Sequence, residues 1–196
     1  MKIVIAPDSF KECLTAAQVA RAIARGIRRA LPEVECVLVP VADGGEGTVR
    51  ALIDATGGRE HSKRVMGPLG EPVRARYGML GDGSTAAIEM AAASGLELVP
   101  PAARNPLKTT TYGTGQLLHA ALGKRARRII VGIGGSATND GGAGMAQALG
   151  IRVFDRRGGA IDAALPGMSL AHVHAIDMRQ ADPAIPPATL AVAWAV

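Results

Sequence analysis

The chain has 196 residues, 48% apolar and 20% charged, enough for one ordinary domain with a sizeable core, and this composition excludes global disorder. A net charge of +5, from 17 Arg and 5 Lys, suits anionic partners, but five aromatic residues are too few for a nucleic-acid module that stacks bases. Glycine supplies 25 residues, nearly twice the usual ~7%, and its clustering without a period of three excludes collagen.

The first apolar run, Ile3-Val4-Ile5-Ala6, predicts a buried strand stopped by Pro7. It is too short for a signal peptide, and no stretch approaches the ~18 residues that span a bilayer. A loop follows to Leu14. Thr15-Ala16-Ala17-Gln18 has capping-box spacing and opens an amphipathic helix, with Val19, Ile23, Ile27 and Leu31 on one face. Arg21, Arg25, Arg28 and Arg29 form the opposite, solvated face. Cys13 is expected to be a small buried side chain. With Cys36 it makes no CxxC, so neither a disulfide framework nor a zinc site is expected, and the reducing cytoplasm is the default location.

Residues 34–41 predict a second strand. A glycine loop follows, and Thr48 can cap a short helix through Ala55, closed by Gly57-Gly58. Near residue 65 the texture changes to turns and a hairpin. Val73, Ala75 and Tyr77 alternate there with Arg74, Arg76 and Gly78, and residues 85–90 return as the partner. This change sets a domain boundary: residues 1–65 form a first segment and 66–196 a second α/β unit. Residues 113–122 predict a helix, whose basic end, Lys124 to Arg128, complements the helix dipole. Residues 129–133 are the strongest strand signal. A glycine loop, a helix over 143–149 and a strand over 151–155 follow. Residues 170–178 are ambiguous, and 189–196 predict a buried strand. His172 and His174, at i and i+2, are read as packing or surface residues.

Three loops carry chemistry, each after an apolar strand, where α/β proteins place ligands. Asp8, Ser9 and Lys11 put an acid, a hydroxyl and an amine between strand and helix; they hold an anion or merely turn the chain. Asp43, Gly44, Gly45, Glu46 and Gly47 offer a backbone that approaches a ligand closely and two carboxylates for Mg²⁺ or proton transfer. Residues 132–142 hold five glycines with Ser136, Thr138, Asn139 and Asp140. Gly134, Gly135, Ser136, Thr138 and Gly141 suit phosphate cradling, and Asn139 or Asp140 a metal or substrate hydroxyl. No GxxxxGK[ST] occurs. Gly132-x-Gly134 lacks the later glycine of a dinucleotide fingerprint, so a nicotinamide-dependent dehydrogenase is a weak alternative. Gly134-Gly135-Ser136-Ala137-Thr138 ends in threonine where a hydrolase elbow needs glycine.

In this order the loops resemble the bacterial glycerate kinase family. The matching segments are Ile5-Ala6-Pro7-Asp8-Ser9-Phe10-Lys11, Ala42-Asp43-Gly44-Gly45-Glu46-Gly47-Thr48, Gly67-Pro68-Leu69-Gly70, Ile88-Glu89-Met90-Ala91-Ala92-Ala93-Ser94-Gly95-Leu96, Thr109-Thr110-Thr111-Tyr112-Gly113-Thr114-Gly115 and the run from Gly132 to Met145. The resemblance implies an α/β protein with a restriction-endonuclease-like split domain and an inserted flavodoxin-like domain. It implies phosphorylation of D-glycerate to 2-phosphoglycerate with ATP and Mg²⁺. Asp8 would contact substrate or activate its hydroxyl, and Lys11 would neutralise phosphate or carboxylate. Asp43 and Glu46 would serve Mg²⁺ or general-base work, while Asn139 and Asp140 would orient glycerate or metal.

Two departures stand out. Glu12-Cys13 replaces the family's Gly-Ser, and Trp194-Ala195-Val196 stands where a cysteine-aspartate pair is expected, at about half the family's length. The sequence therefore predicts a C-terminally truncated chain with weak or no activity, whose exposed strand edges promote self-association. A non-catalytic nucleotide- or anion-binding remnant, or a subunit completed by a second chain, is the rival reading. Neither nucleic acid nor a membrane is an expected partner. In a full-length relative, changing Asp43 or Asp140 to Asn should cut kcat at least ~100-fold, measured by ADP release.

Overall fold

A computed structural model describes residues 1–8, 10, 13–41, 44–45, 47–161, 164–185 and 188–193. Of the expected site residues, Ser9, Lys11, Asp43 and Glu46 lie outside the described residues, as do Glu12 and the terminal Trp194-Ala195-Val196.

Strands β1 (Lys2–Ile5) and β2 (Glu35–Leu38) pair in parallel, joined by helix α1 (Ala16–Ala30). The capping box forms. The Thr15 hydroxyl accepts the Gln18 N–H at 3.3 Å, and Gln18 Oε1 accepts the Thr15 N–H at 2.8 Å. The buried stripe is rotated from the expected one. Ala20, Ala24 and Ile27 meet Ile3, Ile5 and Cys36, whereas Ile23 is 41% exposed. Alanines let the helix axis come close to a two-stranded sheet, and that approach selects the face. The arginine stripe is solvated. β1 is not fully buried: Ile5 faces α1, but Val4 is 62% exposed on the sheet's other face. Cys13 is exposed, contrary to expectation.

Helix α2 (Thr48–Thr56) takes Gly47, in a left-handed conformation at φ 90°, as its N-cap in place of Thr48, and ends on Gly57. Then come β3 (Arg59–Met66), β4 (Pro72–Met79), β5 (Thr85–Glu89), the short helix α3 (Ala91–Ser94), α4 (Tyr112–Gly123), β6 (Arg128–Gly132), α5 (Ala143–Ala148), β7 (Arg152–Phe154), β8 (Ala175–Asp177) and β9 (Thr189–Ala193). Five of these strands form one sheet in the order β3-β4-β5-β6-β9. β3, β4 and β5 are antiparallel neighbours, while β5, β6 and β9 are parallel. β3 pairs with β4 along its whole length, so this sheet starts at Arg59 and crosses the position where the sequence changes texture. β7 and β8 form a separate ribbon.

The sheet buries both faces. Leu117, Leu118, Ala121 and Leu122 of α4 cover Ala75, Tyr77, Ala86, Ile88, Ile129 and Val131. On the other face, Val49 and Ile53 of α2 cover Leu80 and Ala87. Ala75 and Tyr77 point inward and Arg74 and Arg76 outward, as the alternation predicts. Gly78 is buried rather than solvated, because Ile53 and Val49 press on its backbone. β9 is an edge strand, as β3 is at the sheet's other end. Its expected burial fails: Leu190 is 52% and Val192 47% exposed. They are in register with Ile129 and Val131 on the α4 side, beyond the area that α4 covers. Among the described residues, no helix is long and apolar enough to cross a membrane.

The turn before β5 is held by one carboxylate. Asp82 accepts the backbone N–H groups of Ser84 and Thr85 at 2.9 and 2.8 Å and the Thr85 hydroxyl at 2.6 Å. The Thr85 hydroxyl, then the two backbone donors, hold its carboxyl well below the usual carboxylate range. A depressed folded-state pKa stabilises the fold fully above the ordinary value of about 3.9 and loses that contribution as pH falls toward the depressed value. Asp82→Asn should therefore flatten the decline in stability below about pH 4, read by denaturant melts across pH. An unchanged pH profile would remove Asp82 from the acid response.

Candidate functional site

The three loops leave the carboxyl ends of β1, β2 and β6, and the second touches both of the others. Val41 N–H donates to the Pro7 carbonyl at 3.1 Å, which holds the second loop beside the first. Beyond it, Gly44 and Gly45 lie directly on the start of the third loop. Gly134 N–H points to the Gly44 carbonyl at 3.4 Å. A Cβ on Gly132 would collide with that carbonyl, and one on Gly134 would come within 2.9 Å of the Gly45 Cα. These glycines are needed because backbone packs on backbone there.

Two side chains fix the second loop. Thr48 accepts the Gly44 N–H at 3.1 Å and donates its hydroxyl to the Gly45 carbonyl at 2.8 Å. Glu89, at the end of β5, accepts the Val49 N–H at 2.8 Å, supplying a carboxylate to the first turn of α2. Met90 N–H donates to the Gly132 carbonyl at 2.8 Å, so the end of β5 also braces the third loop.

The third loop is pinned from inside by Asp140, which is 1% exposed. Its Oδ2 accepts the Thr111 N–H at 2.7 Å, the Thr111 hydroxyl at 2.8 Å and the Gly144 N–H at 3.3 Å; its Oδ1 accepts the Gly142 N–H at 3.1 Å. Three of the four donors meet Oδ2, which is thereby saturated, and one meets Oδ1. The Thr111 hydroxyl in turn accepts the Met145 N–H at 2.9 Å. Thr109, Thr110, Thr114 and Ser94 are buried beside it, with Ser94 and Thr114 hydroxyls 2.8 Å apart and the Thr109 hydroxyl donating to the Ala137 carbonyl at 2.8 Å. Sequence reasoning gave these threonines and Glu89 no role. Three consecutive threonines before a helix were the available signal.

The other expected residues sit as follows. Asp8 is half-buried in the first loop. Ser136 and Thr138 hydroxyls are 2.9 Å apart, and Ser136 Oγ accepts the Thr138 N–H at 3.1 Å, so the pair shapes the loop from within. Gly135 and Gly141 take left-handed conformations, at φ 72° and 60°. Gly135 also accepts the Leu96 N–H through its carbonyl. Asn139 is exposed, on the rim of a cavity of about 310 Å³. On the loop's other side, Ser136 and Thr138 line a second cavity of about 270 Å³ with Arg104 and Asn105.

Among the described residues, no three His, Cys, Asp or Glu side chains gather to hold a metal. Asp140 Oδ2 is taken up by three donors that hold the loop, whereas Oδ1 accepts the Gly142 N–H alone. Asp140→Ala should strand these buried donors and destabilise the protein by at least ~2 kcal/mol, measured by denaturant unfolding. Wild-type stability in that variant would return Asp140 to a purely ligand-binding role.

Comparison with known proteins gives this geometry a family. The model of the glycerate kinase family matches residues 3–196. The chain is 59% identical over 182 residues to the glycerate kinase of Bacillus subtilis strain 168, covering 93% of this chain and 47% of that protein. It is 56% identical over 193 residues to the glycerate 2-kinase of Escherichia coli strain K12, covering 98% and 50%. A crystal structure from Salmonella typhimurium LT2, solved as a candidate glycerate kinase 2, superposes with a TM-score of 0.88 at 54% identity, over 98% of this chain and 52% of that one. The chain thus spans about half the length of the curated relatives it matches. With its mixed α/β fold, it belongs to the glycerate kinase family.

Proposed function

We propose that the protein acts in the ATP-dependent phosphorylation of D-glycerate on its 2-hydroxyl, giving 2-phosphoglycerate. The observation that carries this reading is the seating of the second glycine loop on the third, with the first alongside. The backbones of the second and third loops thereby meet at the carboxyl ends of β2 and β6, with the loop that carries Asp8 held beside the second. Phosphoryl transfer asks a protein for positioning and charge neutralisation rather than a covalent nucleophile, and this site is built for positioning. The relatives' names, glycerate kinase and glycerate 2-kinase, supply the substrate.

In this reading Asp8 takes the proton of the substrate hydroxyl, and Lys11 pairs with the glycerate carboxylate or the transferring phosphate. Mg²⁺ would neutralise phosphate charge, and its ligands would be Asp43 and Glu46, with Oδ1 of Asp140, which accepts one hydrogen bond, as a third candidate. Asp140 and Thr111 position the loop. The two-domain division belongs to the same proposal. β1, α1 and β2 form part of the first domain, and the five-stranded sheet forms the inserted one.

The half-length match favours a second reading, a non-catalytic nucleotide-binding protein or a subunit completed by another chain. A coupled ADP-release assay separates the two. D-glycerate-dependent ADP release is expected from a form extended to the relatives' full length, with weak or no turnover from these 196 residues. Robust turnover by the 196-residue chain would overturn the expectation for this chain. An extended form that binds nucleotide without turnover would favour the second reading.

A further inference from the structure

We infer that the 310 Å³ cavity beside the third loop is the nucleobase site of the nucleotide, and that Asn139 reads the edge of the base. The inference rests on the proposed kinase reading and assigns one of its two ligands to a place. The cavity lies between the end of β6, the edge strand β9 and α5, and its size falls at the small end of ligand pockets.

Its walls are Val131, Ile133, Leu190, Val192, Met90 and Met145. These suit the faces of a flat heteroaromatic ring, and thioethers make favourable contacts with such rings. Among the described residues, the one charged side chain in its lining is Asp140, whose oxygens accept from the Thr111, Gly142 and Gly144 donors. No cation among the described residues lines the cavity. A small carboxylate such as glycerate would leave water there for apolar walls and a like charge, which is unfavourable. A nucleobase meets neither penalty.

The polar lining is Thr111, Thr114 and Asp140, all buried, with Thr138, Asn139 and the glycines that follow nearer the surface, at the rim, and of these side chains Asn139 is exposed. An exposed side-chain amide with an acceptor and two donors can pair in a bidentate way with the amino group and ring nitrogen of adenine. From this rim the chain leads back to Gly134 and its contact with the second loop, so phosphates leaving the cavity would run toward Gly44 and Gly45.

The exposure of Leu190 and Val192 makes them usable probes, because a larger side chain there need not disturb the core. The test is a ¹H–¹⁵N NMR titration of the 196-residue chain with ADP and, separately, with D-glycerate. ADP should shift the amides of Ile133, Asn139 and Val192, and D-glycerate should leave them in place. Val192→Trp should weaken ADP at least ~10-fold and leave D-glycerate affinity within about 2-fold. Asn139→Ala should also weaken ADP while the fold, read from the remaining amides, persists.

The inference is overturned if ADP shifts residues elsewhere, if millimolar ADP does not bind, if D-glycerate shifts the cavity amides, or if Val192→Trp binds ADP normally. ADP in this cavity without glycerate phosphorylation by the extended form would remove the proposed reaction and leave the site standing. Phosphorylation with ADP bound elsewhere would do the reverse.

Discussion

The close approach of two backbones, Gly44-Gly45 on Gly132-Gly134, organises this protein. It is where the carboxyl end of the small β1–β2 sheet meets the carboxyl end of β6 in the larger one. Side chains at either glycine of the third loop would hold the loops apart, because the obstructing atoms are main-chain carbonyl and Cα atoms that cannot rotate away. The glycine excess in the composition thus has a steric use besides any contact with phosphate. Each loop is also braced from its own side: Thr48 and Glu89 hold the second, while Met90 and Asp140 hold the third.

The bracing of the third loop shows how a polar cluster can be buried without loss. Asp140, Thr111, Thr109, Thr114 and Ser94 are all nearly inaccessible. Among the described residues, no buried side-chain N or O lacks a hydrogen-bond partner. Removing one partner from such a cluster leaves a donor or acceptor desolvated, so the cost falls on the whole loop rather than on one bond. Rigid loops are what a site needs when its catalysis rests on positioning.

Much of this was legible from local pattern. The capping box at Thr15, the alternation at Val73 to Tyr77, the apolar run of β6 and the three loops after strands all encode short-range physics, and the structure places them where periodicity and turn chemistry put them. The misreadings are tertiary. Ile23 looked inward by helical spacing, yet small alanines decided the contact. Residues 189–196 looked like a buried strand because they are apolar, but burial depends on what covers a strand, and β9 is at an edge. Asp140 read as an acid in a glycine loop, and its use in holding that loop from inside was not legible. Two of its four donors come from Thr111, 29 residues away, and no local pattern announces them.

The chain's exposed apolar surface has a consistent place. Leu190 and Val192 on β9 lie open on the α4 side of the larger sheet, and Val4 and Leu38 lie open on the small one. The well-covered centre of the larger sheet, from β4 to β6, is therefore the stable body from which the loops project. The central claim, that the second and third loops form one surface through their glycine backbones, is most directly tested by solution NMR on the isotopically labelled chain. The account predicts nuclear Overhauser contacts between the α-protons of Gly45 and Gly134. Assigned α-protons with no such contact would contradict it.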